Sequence, residues 1–189
     1  MYVEPIKDRA KIAEVGNYLA KHRNAKYAML WKFGCNTILR ISDLLAFRVC
    51  DVMNGDGVRD KLGLREIKTG KVRIIYFNEP LRRDLQVYII NNGLKAFDYL
   101  FYHSPRHKNR PLSRKSAWRE IKAACKAVGI TANVGTHTMR KSLAWAIYSS
   151  DKDLGLTMTM LNHSSVKSTL SYLGITNAQI EKAYMQTCL

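Results

Sequence analysis

The chain has 189 residues, with 31 Lys and Arg against 15 Asp and Glu and a formal charge of +16; this length sustains one sizeable core, and the excess calls for a polyanionic partner, nucleic acid before membrane. The cations are spread along the chain, which favours a folded basic surface over a disordered arm. Signal peptide, transit sequence and membrane-length apolar run are all missing, and Cys35, Cys50, Cys125 and Cys188 stand far apart without a C-x-x-C pair, so export, membrane insertion, zinc and dithiol chemistry are unsupported and a reduced, cytoplasmic setting fits.

After Pro5, Ile12, Val15 and Leu19 recur at helical spacing, and Tyr27, Leu30, Trp31 and Gly34 continue in a second helix. In Leu39-Arg40-Ile41-Ser42-Asp43-Leu44-Leu45, Ser42 is expected to cap a short helix, with Arg40 before it and Asp43 in its first turn. Phe47, Val49 and Val52 predict a strand; a Gly-Asp-Gly turn at 55–57 leads to runs at 62–67 and 72–77. These two flank Lys68-Thr69-Gly70-Lys71, which reads as a tight hairpin turn with Lys68 at its tip and glycine supplying positive φ.

Asn78 and Pro80 start a helix along Leu81, Leu85, Tyr88 and Ile89 that Asn92-Gly93 ends. The stretch from Tyr102 to Pro111 reads as a basic, phosphate-contacting loop carrying Arg106, Lys108 and Arg110. Over 113–128, Ala117, Ile121, Ala124 and Val128 line one helical face, while Lys115, Arg119, Lys122 and Lys126 line the opposite one, a surface suited to a DNA backbone or groove. Gly129 ends that helix.

A helix capped by Thr136 would place His137 and Arg140 one turn apart on a shared face, where an imidazole and a guanidinium could converge on one phosphate. Met139, Leu143 and Ile147 anchor it in the core; Asp151-Lys152-Asp153 breaks it, and short helices follow over 154–161 and 166–173, the second carrying Tyr172. The tail, 176–189, reads as a final helix with Ile180 and Tyr184 on one side.

Taken together, these residues resemble the catalytic domain of the tyrosine recombinases, the phage integrase family. That family's pattern is R-x-S-E/D-L, a hairpin lysine, H-x-x-R, and L-G-H with the nucleophilic tyrosine nine residues on. Here the boxes are Arg40-Ile-Ser-Asp43-Leu, Lys68-Thr-Gly, His137-Thr-Met-Arg140 and Leu161-Asn162-His163, with Tyr172 nine residues after His163. Asn162 stands where glycine is usual, a departure that touches the backbone beside His163.

The resemblance implies an α+β fold, mainly α-helical with a small three-stranded antiparallel sheet: a catalytic domain over 1–175 and a tail helix over 176–189 exchanged between protomers. It implies a site-specific recombinase that cleaves and rejoins DNA through a 3′-phosphotyrosine, with no cofactor and no metal. Arg40 and Arg140 would hold the phosphate oxygens, His163 would donate to the phosphate and His137 would take the Tyr172 proton. Lys68 would protonate the leaving 5′-oxygen, and Asp43 would support the arginine and histidine geometry. Expected partners are double-stranded DNA with paired sites, further copies of the chain up to a tetramer, and accessory DNA-bending proteins. Two other readings are a type IB topoisomerase, disfavoured by the short chain and the L-x-H…Y box, and a silent DNA-binding regulator, disfavoured by the intact set of seven. Residues 1–35 are too few for the family's N-terminal core-binding domain, so the chain is expected to be either a catalytic fragment or a recombinase that works as a catalytic domain alone.

Overall fold

The amphipathic periods of the first forty residues fold as they read. In the computed structural model, which describes residues 3–175 and 185–186, α1 (Arg9–His22) starts where the Asp8 carboxylate accepts a bond from the Ala10 amide at 2.7 Å, and α2 (Ala25–Thr37) starts at Asn24 in the same manner. α2 is the central helix. Its Leu30, Trp31 and Phe33 are buried, and the Phe33 ring meets Phe47, Phe77 and Phe101 at 5.5–5.9 Å between centroids.

The order continues with α3 (Ile41–Ala46), α4 (Val49–Val52), β1 (Met53–Asn54), β2 (Gly57–Val58), β3 (Lys61–Arg65), β4 (Val72–Tyr76), α5 (Glu79–Asn91), β5 (Tyr102–Ser104) and β6 (His107–Pro111). α6 (Arg114–Ala127), α7 (Thr136–Asp151), α8 (Leu154–Leu161) and α9 (Val166–Leu173) complete the described elements. This is a mainly helical α+β fold with small antiparallel sheets. Among the described residues the strands form three separate two-stranded ladders, β1–β2, β3–β4 and β5–β6, rather than one three-stranded sheet.

The strand expected from Phe47 to Val52 is the short helix α4. Val49 and Val52 are also one helical turn apart, and the local polar groups decide the matter: Asp51 accepts from the Arg48 amide at 2.7 Å, and the Val49 and Cys50 amides reach the Asp98 and Ala96 carbonyls. The basic loop at 102–111 is instead the β5–β6 hairpin, and the Lys68 turn is a six-residue connection over 66–71 rather than a tight two-residue one. Gly70 does take a positive φ of 68° there. Neither expected cap holds: α3 starts at Arg40 with no side-chain cap, and α7 starts at Gly135, whose amide donates to the Thr138 hydroxyl at 3.0 Å. The tail helix placed at 176–189 lies outside the described residues, apart from 185–186.

The apolar side chains gather in two cores. The larger joins α1–α6 and includes Met139 of α7; the smaller gathers Ile38, Ala144, Leu161 and Leu173, with Trp145, Tyr148 and Met160 packed against it. α7 belongs to both. It approaches α2 closely at Gly34, where a methyl group would lie 2.5 Å from the Met139 sulfur. His137 and Arg140 thus stand on a helix fixed to the main core, while Tyr172 stands on α9, fixed to the smaller one.

Candidate active site

Two arginines from distant parts of the sequence meet around one buried carboxylate. Arg40 follows a chain reversal in which Ile38 takes φ +51°, unusual for a β-branched residue and held by burial of that side chain in the smaller core. Arg140 is the second turn of α7 and only 1% exposed. Between them lies Glu66, fully buried, with Oε2 2.5 Å from Arg40 and Oε1 3.9 Å from Arg140 and 3.2 Å from Arg73. The Thr69 hydroxyl donates to Oε2 at 2.6 Å. Burial alone would raise the Glu66 pKa, but the bonds from Thr69, Arg40 and Arg73 outweigh it and hold the carboxyl below its ordinary value. Removing one member of such a buried cluster costs about 3–5 kcal/mol.

The arginines also grip the end of α8. Arg140 donates to the Leu161 carbonyl at 2.6 Å and Arg73 to the Met160 carbonyl at 2.5 Å. The next residue, Asn162, has φ +57°, which explains both why glycine is usual at this position and why asparagine, the most tolerant side chain there, can replace it. His163 follows at once, with Nδ1 3.1 Å from the Thr169 hydroxyl.

Lys68 sits exposed in the β3–β4 turn. Asp43, buried on α3, accepts the Ile67 amide at 2.9 Å, so its observed bond steadies the backbone one residue before Lys68 rather than an arginine or a histidine. Tyr172 lies against the cluster from α9: its ring meets His163 edge-on at 5.2 Å and 82°, with the Arg140 guanidinium 5.8 Å and the Lys141 ammonium 5.0 Å from the ring centre. The phenolic oxygen is buried.

Protonation states follow from burial and the concentration of cations. Burial, then Arg140 and Arg40, drives the His163 pKa down to about 4, and partial burial of the His137 ring, then Arg140, Lys141, Lys68 and Arg40, lowers that imidazole as well. Both are therefore neutral at neutral pH. His137 can accept a proton, and His163 can donate from only one nitrogen. Burial pushes the Tyr172 phenol above its ordinary value, against the downward pull of Arg140 and Arg40. Arg40, Arg140, His163 and Tyr172 are thus brought together, with Lys68 and Asp43 on the adjoining turn and helix, while His137 stands exposed on α7 one turn before Arg140.

The sequence reading missed Glu66, Arg73, Lys141 and Thr169. Glu66 had a legible signal, a lone acid in a strand and turn that also hold Arg65, Lys68, Lys71 and Arg73. The outlying cations are more mixed. Arg106 and Arg110 are exposed on the β5–β6 hairpin, but the Lys108 ammonium is engaged with the Asn92 and Gly93 carbonyls at 2.6 and 3.0 Å, closing the end of α5. Lys115 is exposed on α6, Arg119 pairs with Glu120 at 3.1 Å and Lys122 lies 4.9 Å from the centre of the exposed Trp118 ring. A methyl on Gly135 would touch Trp118 at 3.2 Å, so this face of α6 adjoins the start of α7.

The sequence pattern described as the phage integrase family matches residues 8–179. The chain belongs to that family. It is a tyrosine recombinase, of an enzyme class that cleaves and rejoins DNA. It is 37% identical over 182 residues to the probable integrase/recombinase YoeC of Bacillus subtilis (strain 168), covering 96% of this chain and 95% of that one. It is 28% identical to the tyrosine recombinase XerD of Halalkalibacterium halodurans, covering 78% of this chain but 49% of that longer protein. The fold matches the crystal structure of XerA recombinase with a TM-score of 0.73 at 20% identity, over 98% of this chain and 66% of that one. It also matches XerH site-specific recombinase bound to its palindromic difH substrate, with a TM-score of 0.73 at 19% identity over 95% and 51% of the two chains. Among the described residues no helix is long and apolar enough to cross a membrane.

Proposed function

We propose that this recombinase acts on paired sites in double-stranded DNA in the bacterial cytoplasm, with Tyr172 as its nucleophile. The observation that carries this reading is the position of Tyr172, its ring against His163 and its hydroxyl buried in a cluster that contains both Arg140 and Arg40. A phenol with an ordinary pKa near 10 is about one part in a few hundred ionised near neutrality, a handicap of roughly 3.5 kcal/mol, and burial adds to it. Two arginines and a base offset it. As the Tyr172 oxygen attacks phosphorus, its proton passes to neutral His137 while Arg40 and Arg140 hold the non-bridging oxygens as negative charge accumulates. His163 donates to one of those oxygens. Lys68 gives its proton to the departing 5′-oxygen, leaving a 3′-phosphotyrosyl bond and a free 5′-hydroxyl. The bond energy is retained in the phosphotyrosine, and a second 5′-hydroxyl reverses the step.

The cationic face of α6 with Lys115, Arg119 and Lys122, and Arg106 and Arg110 on the β5–β6 hairpin, supply backbone contacts. The assembled form is a tetramer on paired sites, with accessory DNA-bending proteins where the sites lie far apart. Residues 1–175 act as the catalytic domain and 176–189 as a tail exchanged between copies. Support for exchange comes from a groove of about 520 Å³ that includes Ile38, Leu143, Leu156 and Met160, beside Ile74 and Tyr76, which are 57% and 69% exposed. It suits the apolar Ile180, Tyr184 and Leu189 of a neighbouring tail.

A plasmid carrying the DNA that flanks the gene tests the activity. Wild type should create new junctions between repeats in that DNA, whose sequence identifies the site, and Tyr172→Phe should create none. Relaxation of any supercoiled plasmid, with no new junctions, would move the chain to the topoisomerase reading.

A further inference from the structure

The Lys68 turn is tied to its surroundings through one side chain two residues away. Glu66 closes the turn with its own backbone, its amide donating to the Lys71 carbonyl at 2.9 Å and its carbonyl accepting the Gly70 amide at 2.8 Å. Its carboxylate then links three separate elements: Arg40 before α3, Arg73 on β4 and Arg140 on α7. Thr69, next to Lys68, donates to the same carboxylate from inside the turn at 2.6 Å. Glu66 could be imagined as a stand-in that an incoming phosphate displaces. Its zero exposure argues otherwise, since the turn would have to open before a phosphate could take its place. The Arg40 ion pair at 2.5 Å and the Thr69 hydrogen bond at 2.6 Å on one carboxylate oxygen, with the Arg73 hydrogen bond at 3.2 Å on the other, make it a junction.

We propose that Glu66 is a positioning residue for the reaction, joining the Lys68 turn to the phosphate-holding arginines so that the acid and the anion site keep one geometry. Displacement of a proton donor by about 1 Å lowers its contribution steeply, because proton transfer needs hydrogen-bond reach. This inference rests on the assignment of Lys68 as the acid that protonates the 5′-oxygen. Loss of the Glu66 charge should therefore be felt at the leaving group.

The test compares single-turnover cleavage of two duplexes carrying the cleavage site found in the junction assay, one with an ordinary phosphodiester and one with sulfur in place of the bridging 5′-oxygen. A thiolate leaves without protonation, its conjugate thiol having a pKa of about 8.5. Lys68→Ala should lose about a hundredfold on the ordinary duplex and return to within about threefold of wild type on the sulfur duplex. Glu66→Gln should lose at least about tenfold more on the ordinary duplex than on the sulfur one. Glu66→Asp, which keeps the charge, should recover part of that loss. Thr69→Val removes a bond from an exposed turn residue and should repeat the pattern at smaller size, which decides the matter should Glu66→Gln fail to fold. If Lys68→Ala recovers on sulfur while Glu66→Gln and Thr69→Val fall equally on both duplexes, or do not fall at all, this inference is overturned alone. If Lys68→Ala itself does not recover, the acid assignment falls and takes this inference with it.

Discussion

Replacing Thr169 with valine keeps the shape of a fully buried side chain and removes only its hydroxyl. That hydroxyl lies 3.1 Å from His163 Nδ1 and 3.3 Å from the Ser165 carbonyl, and it has one proton to give. Because His163 is neutral at neutral pH, it can present an Nε2–H to a phosphate only if Nδ1 is the accepting nitrogen, which requires Thr169 to donate to it. Valine leaves that nitrogen without its donor. A neutral hydrogen bond is worth about 0.5–1.5 kcal/mol, and about 1.4 kcal/mol is tenfold in rate, so single-turnover cleavage should fall about three- to tenfold. Stability in urea should fall by about 1 kcal/mol, and affinity for DNA should not change. Thr169→Ser, which restores the donor, should recover most of the rate. Wild-type cleavage by Thr169→Val, or equal losses for valine and serine, would refute the reasoning.

Arg40→Ala and Arg140→Ala should each lower cleavage about a hundredfold, on the order of 3 kcal/mol, with little effect on binding, whereas Lys115→Ala and Arg119→Ala should weaken binding. An Arg119 contact with a phosphate should also reduce the salt slope by about one unit, and unchanged affinity and slope would return that face of α6 to solvent. The low pKa of His163 has a sign in stability. The unfolded histidine, with a pKa near 6.5, takes up its proton before the folded one, so this contribution is present above pH about 6.5 and is lost as pH falls towards about 4. Denaturation midpoints of His163→Gln should fall less over that interval than those of wild type, and parallel curves would contradict the assignment. Truncation after Gly174 should leave single-site binding intact and impair cooperative assembly on paired sites, as followed by gel shift; an unfolded product, or unimpaired assembly, would place the tail in its own domain's core.

The helices were legible because their signals are local. Asn78 caps where its side-chain oxygen stands before an amphipathic run, and Gly129 takes the positive φ that ends one. The seven family positions were legible as spacing, since the interval from His163 to Tyr172 spans a two-residue turn and the first seven of the eight residues of α9. Legibility failed where tertiary partners decide. Phe47–Val52 has the composition of a strand, but the carbonyls that pull it into α4 lie more than forty residues later, at Ala96 and Asp98. Glu66 was passed over because its three arginines come from positions 40, 73 and 140, and Thr169 because its role depends on the protonation of His163. Lys108 was read as a phosphate contact because a basic stretch does not reveal that the end of α5 stands beside it.

The central claim is that Tyr172, and no other tyrosine, forms the covalent bond to DNA. A duplex nicked close to the cleavage site traps the adduct because the short strand diffuses away, and tryptic digestion then separates the candidates: residues 168–182 hold Tyr172, 142–152 hold Tyr148 and 183–189 hold Tyr184. Mass spectrometry should find the nucleotide mass on the 168–182 peptide, and Tyr172→Phe should give no adduct that survives denaturant. A nucleotide on either of the other two peptides, or an adduct formed by Tyr172→Phe, would contradict the account.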